Sequence, residues 1–239
     1  MRVLTAFDGT RRQLTLSQIA ALIEMDISAT QRFTYTLASL GYLRKDDATK
    51  TYELSPKAFD FAYHYLASSD LVHRATPYLH QLGKETEEAT NLSVQDGTDI
   101  VFVLRIVSRH VLNPGIIVGA RLPLYCTAPG LAMLAHLPDD EVTRILKQSD
   151  LVPHTPHTVY QPRAIKARLA AIRAAGYAHT EEEYFLGDIS TAAAILDAGG
   201  RVLGAINVAV AKPRWKGARD ERRISSLVMT AAYSISGRR

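Results

Sequence analysis

Cysteine is all but absent: Cys126 is the single one in 239 residues. No internal disulfide can form, so stability must come from packing, and a reducing compartment is expected. No apolar run approaches the roughly 20 residues needed to cross a bilayer, and the N-terminus lacks a signal-peptide pattern. The chain is therefore expected to be cytoplasmic, with no membrane partner. Enzyme signatures are missing as well. Gly199-Gly200 is not followed by the Lys-Ser/Thr of a phosphate loop. His154 and His157 have a spacing that a metal could use, but no Cys, Asp or Glu lies between Leu151 and Ala164 to complete three or four ligands. Cys126 sits in an apolar stretch and reads as a small buried hydrophobe. Glu181-Glu182-Glu183 reads as a solvated charged run, not an acid–base pair. No enzyme activity, cofactor or metal is expected.

What is present is ordinary in bulk: 47% apolar and 22% charged residues, enough to bury a full core. The length favours two domains. A net charge of +4 is compatible with nucleic-acid binding, but its distribution does not locate a binding end. Residues 1–66 hold 8 Lys/Arg against 7 Asp/Glu, and the basic excess lies near Lys212, Arg214, Lys216, Arg219, Arg222 and Arg223.

Order along the chain is more telling than charge. Ile19, Ala20 and Leu22 belong to an amphipathic helix that breaks at Met25-Asp26-Ile27. A second helix opens with Ser28 as N-cap and stops at Gly41. Ala29, Phe33, Leu37 and Leu40 are expected to face its core. Short strands at 43–45 and 51–53 flank Asp46-Asp47-Ala48-Thr49. Helix, turn, helix and wing in this order describe a winged helix-turn-helix, which lays its second helix into a DNA major groove. Thr30, Gln31 and Arg32 are the candidates for base edges or phosphates, with Ser28 and Tyr35 on the same exposed side. Arg44, Lys45 and Lys50 suit phosphate contact from the wing, whereas Asp46 and Asp47 would keep its tip from deep insertion. Arg11 and Arg12 are weaker candidates for the DNA backbone.

Ser55-Pro56 ends the wing. Phe59, Ala62, Tyr63 and Leu66 then mark one helix, and Leu71, Ala75, Leu79 and Leu82 a second. The expected organisation is a DNA-binding domain at 1–55, a linker helix at 56–70 and a sensor domain at 71–239. Strands are expected at 92–94, 101–105, 116–118, 192–196 and 202–211, and helices at 128–136, 139–147, 164–175 and 219–235. Asp197-Ala198-Gly199-Gly200 reads as a hairpin turn. Consecutive antiparallel strands with grouped helices give an α+β class.

Several separated blocks together resemble the IclR family of bacterial transcriptional regulators. They are LTLSQIAALIEMDISATQRFTYTLASLGYLRKD, NLSVQDGTDIVFVLRI, GARLPLYCTAPGLAMLAHLPDDE, IRAAGYAHTEEEYFLGDIS and DAGGRVLGAINVAV. ATQRFTYTLASLGYL and GARLPLYCTAPG look most like the branch that controls aromatic-acid catabolism by the protocatechuate and β-ketoadipate routes. The resemblance implies a GAF-like effector-binding domain, a small organic acid as effector, aromatic acids included, and a homodimer or homotetramer on a palindromic double-stranded DNA operator. It assigns the effector site to Tyr125, Thr127, Ala128, Pro129, Met133, Thr180, Glu181, Ser190, Thr191, Asn207 and Ala209.

That assignment is chemically coherent. Thr127 can cap a helix whose free N–H groups suit a carboxylate, although Pro129 removes one donor. Ser190, Thr191 and Asn207 offer polar groups, while Tyr125 and Met133 can face an aromatic body. The chain departs from the family pattern at Gly187-Asp188-Ile189-Ser190 and at Pro129-Gly130-Leu131, both inside this region. The alternative is a ligand-binding or enzymatic module whose winged domain mediates protein interaction. A purely architectural DNA binder is a third reading and would need no cavity.

Overall fold

The computed structural model describes residues 1–110 and 115–237. They form two compact units, Met1–Ser68 and Ser69–Arg239.

The first unit runs from a 3-10 turn at Leu4–Ala6 through β1 (Leu14–Thr15), α1 (Leu16–Leu22), α2 (Ile27–Ser39), β2 (Leu43–Asp46) and β3 (Thr51–Leu54) to α3 (Phe59–Ala67). Thr15 and Gln18 start α1 with a reciprocal capping box: Gln18 Oε1 accepts from the Thr15 N–H at 2.8 Å and Thr15 Oγ1 accepts from the Gln18 N–H at 3.4 Å. Two residues earlier than expected, Asp26 rather than Ser28 caps α2, its Oδ1 accepting from the Ala29 N–H at 2.8 Å. The earlier cap accompanies a different buried face. Thr30 and Thr34 are fully buried, while Phe33 and Leu40 are 51% and 53% exposed. The threonine hydroxyls tolerate burial because each donates to a carbonyl one turn back, Asp26 and Thr30 respectively, both at 2.9 Å. The core is built from Val3, Ala6, Phe7, Leu14, Ile19, Ile23 and Leu43, with Leu37 packed against it. The sheet has three strands in the order β1-β3-β2. Its first strand was not expected, since two residues carry no period.

In the second unit, α4 (Asp70–Thr86) leads into β4 (Ala89–Asp96), β5 (Asp99–Ile106) and β6 (Arg121–Pro123). Next come α5 (Ala128–Leu134), α6 (Asp139–Gln148) and α7 (Pro162–Ala175), then β7 (Ala178–Glu181), β8 (Asp188–Leu196), β9 (Val202–Ala211) and α8 (Ala218–Ser236). The six strands pair antiparallel in the order β6-β5-β4-β9-β8-β7, which gives the expected α+β, GAF-like class. Asp197 closes the β8–β9 hairpin, its Oδ1 accepting from the N–H groups of Gly199 and Arg201, both at 2.9 Å. The expected strand at 116–118 is instead part of a loop between Gly115 and Ala120. Its β-branched residues favour extension, but among the described residues no strand pairs with them.

α4 and α8 cover one face of the sheet and α5 the other. Thr90 marks the first face by donating to the Leu79 carbonyl on α4 at 3.0 Å. On the second face α5, α6 and α7 enclose a core that includes Phe102, Leu124, Leu131, Met133, Leu134, Ile145 and Ile165. α5 lies so close to the preceding chain that a Cβ on Gly130 would come within 2.2 Å of the Leu124 carbonyl oxygen. Only glycine fits there.

Candidate functional site

On the first unit, Ser28, Gln31, Arg32 and Tyr35 are all exposed on α2, with Tyr35 73% accessible. Arg44 is exposed on β2. Thr30, expected at the same surface, is buried, so its side chain cannot touch a base edge. At the wing tip Asp46 shapes the turn by accepting from the Ala48 and Thr49 N–H groups at 2.8 and 3.3 Å. Asp47 lies 2.7 Å from Lys45 Nζ and 3.9 Å from Lys50 Nζ, and the Lys45 hydrogen bond holds its carboxyl below the usual range. Any phosphate that engages these lysines must therefore compete with Asp47. Arg11 is paired with Asp8, and Arg12 stands 3.7 Å from Glu53.

On the second unit a cavity opens between the sheet and α5. Its water-accessible space is about 60 Å³, enough to hold water or a small ligand. Ile100, Phe102, Leu122, Ala128, Pro129, Tyr184 and Phe185 supply apolar wall, whereas Arg105, Asn91, Asn207, Ser190, Asp188 and Thr180 supply polar wall. The polar residues of the sheet are linked across four strands. Arg105 Nη1 donates to Asn91 Oδ1 at 3.1 Å, Asn91 Nδ2 to Asn207 Oδ1 at 3.3 Å, and Asn207 Nδ2 to Ser190 Oγ at 3.0 Å.

Strand register places three of these groups in one row, Arg105 pairing with Asn91 and Asn91 with Asn207, while Ser190 reaches Asn207 diagonally from its own partner Ala209. A β-bulge makes the row possible. Between Leu92 and Ser93 the β5 partner jumps from Leu104 to Phe102, leaving Val103 as an extra residue. Ile100 and Phe102 face the cavity by strict alternation. The bulge then resets the phase so that Arg105 faces it too. Burial at this wall lowers the Arg105 pKa. Half-buried Asp188 is pushed up to about 6 by desolvation, against the opposing pull of Arg105. Cys126 also touches the cavity, with its thiol pushed up to about 12 by burial.

Of the eleven residues assigned to an effector site, Thr127, Ala128, Pro129, Thr180, Ser190, Asn207 and Ala209 line this cavity. The other four lie elsewhere. Thr191 and Glu181 alternate with Ser190 and Thr180 along their strands and so face the other way. Thr191 Oγ1 is 3.0 Å from His179 Nδ1, and Glu181 Oε1 is 3.4 Å from His179 Nε2. Met133 is fully buried in the α5 core, and the Tyr125 hydroxyl donates to the Val152 carbonyl at 2.6 Å. Thr127 occupies the N-cap position of α5 without capping through its side chain, because its hydroxyl donates to the Pro123 carbonyl at 2.8 Å.

Asn91, Arg105 and Asp188 were missed. Arg105 falls on a strand face whose phase depends on the bulge in β5, and nothing in local periodicity marks it.

The acidic run is also not simply solvated. Glu182 accepts from the Gly187 N–H at 2.7 Å and pairs with Lys212, while Glu183 is gripped by both Nη atoms of Arg168 at 2.8 and 2.9 Å. Thr155 and Thr158, inside the loop that holds His154 and His157, donate to the Glu182 and Glu183 carbonyls at 2.6 Å. His154 itself packs against the Tyr184 ring at 4.5 Å. Among the described residues no group of three His, Cys, Asp or Glu could hold a metal, and no helix is long and apolar enough to cross a membrane.

Comparison with known proteins covers both units. Residues 63–237 match the family described as bacterial transcriptional regulator IclR C-terminal, and residues 1–47 the IclR helix-turn-helix domain. The chain is 33% identical to the Pca regulon regulatory protein of Pseudomonas putida, over 98% of this chain and 80% of that protein. It is 28% identical to the HTH-type transcriptional regulator KdgR of Escherichia coli strain K12, over 95% and 86%. Among solved structures, a transcriptional regulator from Rhodococcus sp. RHA1 superposes with a TM-score of 0.83 at 33% identity, covering 98% of this chain and 93% of that one. An IclR homolog from Microbacterium hydrocarbonoxydans complexed with 4-hydroxybenzoate shares the fold, with a TM-score of 0.81 at 23% identity over 98% and 95%. A match of this extent, to both halves and to relatives over most of their length, makes the chain a member of the IclR family: a DNA-binding transcriptional regulator, not an enzyme, with a ligand-binding C-terminal domain.

Proposed function

We propose that this regulator senses a small organic acid, aromatic acids included, in the cavity between the sheet and α5, and that occupancy alters operator binding through the geometry of a homodimer or homotetramer. The observation that carries the reading is the make-up of the wall: one guanidinium in a chain of amides and a hydroxyl, facing apolar side chains. A carboxylate suits the first side and a small hydrophobic body the second. The 4-hydroxybenzoate bound to the Microbacterium homolog and the Pca regulon relative agree with that class.

In this reading Ser28, Gln31, Arg32 and Tyr35 face DNA, with Arg44, Lys45 and Lys50 near phosphates. Residues 1–55 read the operator, 56–70 link, and 71–239 sense. The exposed aromatic residues of α3, Phe59 and Tyr63 among them, support a role for the linker in assembly.

A thermal-shift screen of the protein against small carboxylic acids tests the proposal. A ligand at 100 times its Kd adds about 2.7 kcal/mol to stability. Stabilisation by a hydroxybenzoate or a related acid is expected, with a change in operator affinity at the same concentrations. No shift with any acid sinks the sensor assignment. The competing reading, a winged domain that binds protein, predicts no operator affinity to change.

A further inference from the structure

The cavity wall carries a carboxylate as well as a guanidinium, an awkward combination for a site that admits acids. Arg105 stands at the end of β5 and Asp188 at the start of β8. Both line the cavity, and Arg105 is the charged group that acts on Asp188. The other charged neighbours are engaged elsewhere. Glu182 and Lys212, beside Asp188 on the β7–β8 loop and just beyond β9, pair with each other. Glu183 is held by Arg168. Cys126, ahead of α5, and Tyr184 complete the titratable surroundings, and burial raises the pKa of each, keeping both neutral.

Resting on the organic-acid reading above, we propose that the ligand's carboxylate binds beside Arg105 in the cavity that Asp188 also lines, and that Asp188 accepts one proton from solvent as it does so. The charge of the cavity is then conserved: one carboxylate enters as another is neutralised. Two carboxylates and one guanidinium in a half-dry cavity cannot all stay charged without repulsion, and the cheaper state protonates one acid. Asp188 is the one already displaced toward the neutral form, with its pKa near 6. The neutral carboxyl can then donate a hydrogen bond to the ligand or to a neighbouring oxygen. Asp188 is thus a specificity-determining residue, favouring a monoanion that accepts this hydrogen bond over a dianion that crowds it.

The sign of the pH dependence follows. Below about pH 6 Asp188 is neutral before ligand arrives, so affinity is flat. Above pH 6 binding must draw in a proton, and Kd rises by up to about tenfold per pH unit, until the bound-state pKa is passed.

Isothermal titration of the full-length protein with 4-hydroxybenzoate and benzoate at pH 5.5, 6.5 and 7.5, in two buffers of different ionisation enthalpy, reads the proton directly. Close to one proton taken up per ligand at pH 7.5 is expected for the native chain. Asp188→Asn should take up none, bind with nearly constant Kd from pH 5.5 to 7.5, and bind more tightly than the native chain at pH 7.5. Melting curves without ligand establish that the variant is folded. Binding without proton uptake, or weaker binding by Asp188→Asn at pH 7.5, overturns this inference and leaves the acid-sensor reading intact. No binding of either acid at pH 5.5, where Asp188 is neutral in any case, overturns the aromatic-acid assignment and the inference as drawn for it, while the wider acid screen decides the sensor reading.

Discussion

Single side chains in this protein act through what they are denied as much as through what they touch. Asp188 is denied full solvation, and its carboxyl keeps its proton to a pH near 6 in the folded state, against 3.8 when unperturbed. Between those values the native state binds more protons than the unfolded one, so this residue's contribution to stability falls as pH rises from about 4 to about 6. Asp188→Asn should therefore match the native chain near pH 4 and exceed it at pH 7, by no more than about 3 kcal/mol. Urea unfolding at the two pH values checks the sign.

Gly130 is denied a side chain. Gly130→Ala drives a Cβ into the Leu124 backbone, and should cost about 1–3 kcal/mol or more in the same assay. Gly9→Ala meets nothing within 4 Å and serves as the neutral comparison. At the DNA end, Arg32→Ala should weaken operator binding by about 1–3 kcal/mol if its guanidinium reads a base, while ligand affinity stays unchanged. Fluorescence anisotropy with labelled operator measures the first quantity and calorimetry the second.

Among the elements, α2 departs from its apolar spacing both in its cap and in its buried face. With Asp26 as cap, Thr30 and Thr34 enter the core and Phe33 stays in solvent. Asp26→Ala should lower the stability of the protein by about 1 kcal/mol, whereas Ser28→Ala, which removes no cap, should leave the melting curve almost unmoved. The β4–β5 pair makes the same point in a sheet. A single extra residue, Val103, turns Arg105 onto the cavity side and joins it to Asn91, Asn207 and Ser190. Helices and most strands were legible from apolar spacing because their buried faces repeat. Neither a two-residue β1 nor a bulge repeats anything. The four effector candidates that do not line the cavity lie elsewhere for matching reasons: Thr191 and Glu181 are one residue off the cavity-facing phase, while Tyr125 and Met133 point into the core.

The molecule as a whole carries two compact units whose chemistry is separate: a surface of exposed polar groups on α2, and a cavity between the sheet and α5. If occupancy of one alters the other, the coupling must be reciprocal. A ligand that changes operator affinity by some factor should have its own affinity changed by that factor when operator is bound. Titrating the ligand with and without saturating operator measures both sides of the cycle, and equal ligand affinities would exclude coupling in equilibrium binding. Because phosphate contacts release counterions, operator affinity should also fall steeply with salt, and much more steeply than ligand affinity.

From the residues alone came the order of helix, turn, helix and wing, the α+β character of the second half, the hairpin at Asp197–Gly200 and the blocks that resemble IclR regulators. All of these are local or serial properties, carried by spacing along the chain. Only the tertiary structure decided that Thr30 is core, that Glu182 and Glu183 are buried in ion pairs, and that Arg105 and Asp188, 83 positions apart in sequence, share one cavity. Those facts depend on cross-strand register, a bulge and the packing of distant segments. Burial and long-range pairing are set by the whole fold, and no short window of sequence contains them.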